Sequence, residues 1–279
     1  MYKTFRHLIP LLAFILLSQF ITACSPKMRI TPGVLPAAEP IDPTQKAEAE
    51  NYVQAHKQEE NFSEINYGND LKRVKNMVDK LSVAAGYRKG SFPVHLLDAG
   101  EQVNAAAVNG ASIIVYKQLL AKVSSDAELA TVLAHEIGHI LGKHYKDNEE
   151  EATRAGAVGV GSSILGLAAS IAMTAAGYGG SADLVGDVTE SATGAIGYGA
   201  FVGQFNRSQE YEADHMGLII MAKAGYDPAT AVAFWGRAEE VFGSAGSKVG
   251  SFFSTHPAAS DRISALNEAL PYAQQYYKK

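Results

Sequence analysis

Apolar positions recur at helical spacing over several stretches of the chain and at strand spacing over two. The sharpest helical stripe runs through Leu129, Val132, Leu133, Ile137, Ile140 and Leu141, which marks a helix buried along one side. Ser125-Asp126-Ala127-Glu128 opens it as a capping box, with Ser125 at the N-cap and Glu128 reaching back. Asn69–Ala85 is a second amphipathic helix, with Leu71, Val74, Val78 and Leu81 opposite Lys72, Arg73, Lys75 and Asp79; Gly86 can end it. Thr44–Asn61 reads as a surface helix with a thin apolar stripe. Phe92–Leu97 and Ser112–Tyr116 read as strands, set off by Asp98-Ala99-Gly100 and Asn109-Gly110. Because Asn104–Val108 precedes that Asn-Gly pair, Asn104–Tyr116 is a candidate hairpin. His95, in the first strand, reads as a satisfied core or edge histidine. Further on, Asn206–Lys223 and Pro228–Val241 read as helices separated by Ala224-Gly225-Tyr226-Asp227, with Trp235 inward; a last helix carries Ile263, Leu266 and Leu270. The expected fold class is α+β, mainly helical, with a small sheet or hairpin beside the capped helix.

The N-terminal pattern is different. Lys3 and Arg6 precede a short apolar run from Leu8 to Phe20, as in a secretory signal. Ile21-Thr22-Ala23-Cys24 resembles a bacterial lipobox, which implies that residues 1–23 are removed and Cys24 is lipidated. Ser25 in place of aspartate favours the outer membrane, facing the periplasm. The chain so processed would carry 22 basic and 29 acidic side chains, a net charge of −7 against −5 for the full sequence. Residues 24–43 hold five of the ten prolines and read as an extended tether, leaving 44–279 as the folded domain. Ala155–Ala182 has no charged residue and is long enough to cross a bilayer; Ser191–Asn206 is uncharged but short. Residues on both sides of this region must meet at one site, so 155–206 is expected to form a buried or membrane-touching helical hairpin rather than a spanning pair. With pI near 5.9 and no basic block, a nucleic-acid partner is excluded.

The chemistry sits in the capped helix. His135-Glu136-Ile137-Gly138-His139 places two imidazoles four residues apart, so both project from one face, one turn apart. They can share a metal ion at the roughly 2.0–2.1 Å that zinc prefers. Glu136 lies about 100° round the helix, too far for a comfortable ligand but placed to take a proton from a water at the ion. His144 comes out about 180° from His135 on the same wheel and is expected to face solvent near the helix end. A catalytic zinc takes three protein ligands. Arg207-Ser208-Gln209-Glu210-Tyr211-Glu212-Ala213-Asp214 is the strongest source of the third: Glu210 and Asp214 share a helix face, and Glu212 points about 200° away from Glu210. Glu210 suits a ligand and Asp214 an acceptor for a ligand histidine's other N–H; in isolation the pattern would fit an acidic solvent-facing helix.

His135-Glu136-x-x-His139, followed about seventy residues later by Arg207-x-x-Glu210-x-x-x-Asp214, resembles the gluzincin zinc metallopeptidases of the HtpX and BepA type, with the CAAX prenyl proteases. Asn104-Ala105-Ala106-Ala107, Ile113-Ile114-Val115-Tyr116 and Thr255-His256-Pro257…Arg262 also resemble segments of that family. With the lipobox, the small lipoprotein members are the better match. The resemblance implies a zincin-like domain and one zinc per chain, held by His135, His139 and Glu210 with Glu136 as base and Asp214 orienting a ligand. It also implies that His256 lies near the metal, on the oxyanion or capping the ion; a plain His-Pro helix start is the alternative. Arg207 pairs either with carboxylates near the site or in a surface salt bridge. An extended substrate would lie along the 104–116 edge, near Asn104, Ile113 and Val115. The function implied is hydrolysis of unfolded or misassembled envelope polypeptides, outer-membrane proteins or their assembly machinery among the candidate partners. Its rivals are a zinc-stabilised chaperone that seldom cuts and an integral membrane protease.

Overall fold

The computed structural model describes residues 28–156, 205–243, 252–256 and 261–278. The expected signal segment, Cys24 and the hairpin expected over 155–206 lie outside them, apart from the first and last two residues of that hairpin. Among the described residues, no helix is long and apolar enough to cross a membrane.

Helix α1 (Pro43–Glu59) starts on Asp42, whose carboxylate accepts the Thr44 N–H at 2.7 Å. Strand β1 (Ser63–Glu64) and helix α2 (Asn69–Ala84) follow, and Gly86 stops α2 at φ +97°. Then come β2 (Val94–Asp98), β3 (Ala105–Val108) and β4 (Ser112–Tyr116), joined into one mixed sheet of order β1-β2-β4-β3. β2 and β4 run parallel; the outer pairs are antiparallel. The expected hairpin is β3–β4: Asn109 and Gly110 both take positive φ, and the Ala111 N–H closes the turn on the Val108 carbonyl.

Both faces of the sheet are covered, which is why Ser112–Tyr116 reads as a nearly unbroken apolar run. Leu97, Ala106, Val108, Ile114 and Tyr116 pack under Ala49, Tyr52 and Val53 of α1. Leu96, Ala105, Ala107, Ile113 and Val115 face the main core, built with α2 and the helices that follow. These are α3 (Lys117–Lys122), α4 (Asp126–Leu141), α5 (His144–Gly156), α6 (Arg207–Lys223), α7 (Ala229–Trp235), α8 (Ala238–Phe242), α9 (Phe252–Thr255) and α10 (Arg262–Gln274).

The centre of the fold is the crossing of α4 and α6. A Cβ on Gly138 would stand 2.7 Å from the Ala213 carbonyl oxygen, and one on Gly217 3.3 Å from the His135 backbone nitrogen. Glycine at both points lets the two backbones meet at a separation that any larger residue would widen. Every residue of α6 from Gln209 to Ala222 is buried, so this helix is enclosed on all sides.

Four local expectations change. Ser125 caps α4 by accepting the Glu128 N–H at 3.2 Å, but the Glu128 carboxylate turns to the Ser124 N–H and Arg237. The stretch 228–241 divides at Gly236-Arg237 into α7 and α8, with Pro228 at the N-cap rather than at the first helical position. Helix α4 ends at Leu141; Gly142 caps it, and Lys143 at φ +58° reverses the chain into α5. Residues 28–42, expected to be extended tether, lie along the domain instead. Ile30, Leu35, Ala38 and Ile41 pack against the main core, the Gly33 N–H donates to His215 Nε2 (2.8 Å) and the Tyr276 hydroxyl donates to the Gly33 carbonyl (2.8 Å). Prolines remove donors but leave such apolar side chains free to pack.

Candidate metal centre

The α4–α6 crossing brings His135, His139 and Glu210 together, and His256, one residue beyond α9, completes the group. One ligand atom from each of the four lies within 4.8 Å of the others, and all four residues are buried. His135 Nε2 and His139 Nε2 are 3.1 Å apart; Glu210 oxygens stand 3.3 Å from the second and 3.6 Å from the first. His256 Nδ1 lies 3.3 Å from His135 Nε2 and 3.0 Å from Glu210 Oε1.

The opposite side of each imidazole is engaged. His135 Nδ1 meets Asp214 Oδ1 at 2.9 Å, and His139 Nδ1 meets His144 Nδ1 at 2.9 Å. With the Nδ1 hydrogens so placed, the Nε2 lone pairs converge, which calls for a cation between them. Atoms bound tetrahedrally to one zinc at its usual bond lengths stand about 3.3 Å apart, and the observed spacings bracket that value. Nitrogen with carboxylate oxygen is also the donor set zinc takes. The residues fit the ion.

Electrostatics agree. Burial pushes His139 well below the ordinary imidazole range, keeping it neutral. Burial would raise Glu210, but His256 and the Arg262 guanidinium outweigh it and hold the carboxyl well below its usual range. Arg262 donates to both oxygens of Asp214 (2.7 and 2.8 Å) and lies 3.0 Å from Glu210 Oε2, so it fixes two carboxylates at once. It is buried, with the Trp235 ring 4.5 Å from its guanidinium carbon.

Glu136 is fully buried, and burial raises its pKa. Its Oε2 accepts the Ala107 N–H of β3 at 2.9 Å, while Oε1 has no hydrogen-bond partner among the described residues and lies 3.4 Å from His256 Nε2. Phe205 stacks on His139 at 3.7 Å and Phe252 on His256 at 4.4 Å, closing the group from solvent.

With this geometry in place, the comparisons with known proteins are specific. Residues 69–270 match the profile of Peptidase family M48. The chain belongs to this family. A putative beta-barrel assembly-enhancing protease of Vibrio cholerae is 32% identical over 73% of this chain and 39% of its own length. The mitochondrial metalloendopeptidase OMA1 of Schizosaccharomyces pombe is 30% identical over 72% of this chain and 53% of its own. The beta-barrel assembly-enhancing protease of Escherichia coli is 27% identical over 63% and 34%. The chain thus spans between about a third and a half of these three relatives. M48 proteins are zinc-dependent metallopeptidases, and the His135–His139–Glu210–His256 group is where this member can hold the ion. The mainly helical zincin-like fold with a small sheet matches the expected class.

Arg207 takes one of its two expected settings, a surface ion pair: it is exposed and lies 3.5 Å from Asp261, while the guanidinium at the centre is that of Arg262, brought in by α10. Two placements depart from expectation. Ile113 and Val115 belong to β4, which is paired on both sides by β2 and β3 and cannot accept another strand. The outer strand is β3, where antiparallel alternation turns Ala105 and Ala107 away from β4; Asn104, just before it, is buried and its carbonyl accepts the Tyr116 N–H. His144 is not solvent-facing but fully buried, because the turn at Lys143 carries it back over His139. The helix-stop at Gly142 is the sequence signal that a helical wheel running through it passes over.

Proposed function

We propose that this M48 member is a zinc-dependent endopeptidase that cuts unfolded or misassembled polypeptides of the bacterial envelope, anchored by lipid on Cys24 at the outer membrane and facing the periplasm. The observation that carries the hydrolase reading is the pair of Nε2 atoms 3.1 Å apart with both Nδ1 atoms engaged, beside a buried carboxylate whose Oε1 is unpartnered among the described residues. His135, His139 and Glu210 would hold the zinc, which supplies Lewis acidity to the scissile carbonyl and to the attacking water. Glu136 Oε1 takes the proton of that water and passes it to the leaving amine; its burial-raised pKa favours accepting it. The Ala107 N–H holds Glu136 in place from the edge strand, along which an extended substrate adds its own backbone. His256, with Nδ1 3.3 Å from His135 Nε2 and 3.0 Å from Glu210 Oε1, would offer the ion a fourth donor.

The names of the bacterial relatives support envelope clients, and the lipobox supports the location. Zinc content and casein cleavage of Glu210→Ala and Glu136→Gln test the chemistry. The first should lose zinc and activity, the second activity alone; wild-type activity in Glu136→Gln rejects it as base. The closed, four-residue centre favours one second reading, a zinc-stabilised assembly factor that seldom cuts. That reading requires Glu136→Gln to complement a deletion strain. Release of a Cys24→Ala variant from the membrane fraction tests the anchor.

A further inference from the structure

Beyond the four residues of the centre, a line of buried polar groups runs outward from His139 to the surface, and the reading above uses only its first contact. His139 Nδ1 meets His144 Nδ1 at 2.9 Å; His144 Nε2 meets Glu212 Oε2 at 3.1 Å. Glu212 in turn accepts the backbone N–H of Arg29 on Oε1 and has the Arg29 guanidinium 3.4 Å from Oε2. That guanidinium also pairs with Asp147 at 2.6 Å. His139, His144 and Glu212 are each 1% exposed or less, so nothing in this line can swap its partner for water at small cost.

With both imidazoles neutral, one hydrogen placement fits the line. Glu212 stands as an acceptor on both oxygens, since Oε1 takes the Arg29 backbone N–H and Oε2 faces the Arg29 guanidinium. His144 must therefore donate from Nε2, which leaves Nδ1 as an acceptor, and His139 must then donate from Nδ1. That leaves His139 Nε2 with a lone pair, aimed at His135 Nε2 and Glu210. Reverse any one tautomer and the hydrogen arrives on the atom that should bind the ion. Metal-ligating histidines usually give this second N–H directly to a carboxylate, as His135 does to Asp214; here an imidazole is interposed.

We infer that His144 and Glu212 are positioning residues for the zinc centre, forming a tautomer relay that commits His139 Nε2 to the metal, with Arg29 of the N-terminal segment fixing its outer end. The inference rests on the metal site proposed above and extends it to residues in α5, α6 and the segment before α1. His139 is thereby held by an interaction that depends on residues 28–33 lying along the domain.

The test uses the full chain loaded with zinc. Histidine-labelled protein studied by 1H–15N NMR should show His139 protonated on Nδ1 and His144 on Nε2; His144 carrying its hydrogen on Nδ1 overturns the relay. This measurement needs no variant and stands if one fails to fold. Zinc affinity by chelator competition should fall about 10–100-fold in His144→Phe and in Glu212→Ala. The double variant should lose no more than the worse single one, because either change breaks the same line. Affinity within twofold of wild type in either single variant, or losses that add, overturns the inference. His139→Ala separates the two readings: if it loses zinc while His144→Phe does not, the relay fails and the centre stands. If His139→Ala binds zinc like wild type, the centre itself is wrong.

Discussion

Two histidine–carboxylate groups are built around buried imidazoles, and chemically they look alike. In one, His95 stands between Glu64 (2.8 Å from Nδ1) and Glu50 (3.0 Å from Nε2), with Ser112 donating to Glu50 at 2.8 Å and Lys57 on the other oxygen of Glu64. In the other, His135, His139 and Glu210 turn their acceptor atoms toward one another. At His95 every nitrogen faces an oxygen, so the attraction is complete within the protein. At His135 and His139 nitrogen faces nitrogen, and the group is complete only with a cation. The difference teaches that a buried imidazole among carboxylates does not identify a metal centre; the direction of the lone pairs does.

The comparison can be broken from either side. Glu136→Gln should have the largest effect, lowering casein cleavage by about 10²–10⁴-fold. Because burial raises this carboxyl in the folded chain, its charge disfavours folding at neutral pH, and the amide should raise the thermal midpoint. A lower midpoint would mean that Glu136 also supports the fold. Gly138→Ala should cost about 1–3 kcal/mol in denaturant unfolding, since its Cβ meets the Ala213 carbonyl, and should weaken zinc retention by separating the helices. His95→Phe should cost about 1–3 kcal/mol by leaving Glu50 and Glu64 facing each other, yet leave zinc content at wild-type level. Zinc loss in that variant would erase the distinction drawn above.

The smallest effect concerns pH. Burial lowers His56 of α1 from its ordinary value to about 4, in a stack with Tyr52 of the same helix and Tyr116 of β4. The unfolded chain binds the proton first as pH falls, so stability present above about 6.5 is lost progressively toward pH 4. Equilibrium unfolding of His56→Phe should show a shallower loss over that window; an unchanged slope removes His56 as its source.

The ligand helix, its N-cap, the β3–β4 hairpin and the Glu210–Asp214 face were legible because each is a local pattern with one period or one turn chemistry behind it. His135 and His139 meet through that period alone. Their supporting groups were not legible in the same way. Arg262 reaches Asp214 only because α10 packs against α6, and Glu212 is buried, although about 200° from Glu210 on the wheel, because α6 is enclosed all round. Short elements such as β1 and α9 offer too few residues for any period to register. The docking of residues 28–42 depends on a handful of dispersed apolar side chains, which composition averages away.

Lys143 is the one residue whose backbone delivers His144 to the centre, and it does so in a conformation that suits glycine better. Its ammonium also pairs with Glu39, pinning the reversed corner to the N-terminal segment. Glycine in its place would relax that corner and free it in the same stroke. Comfort of the main chain and hold on the N-terminal segment therefore pull against each other at a single position.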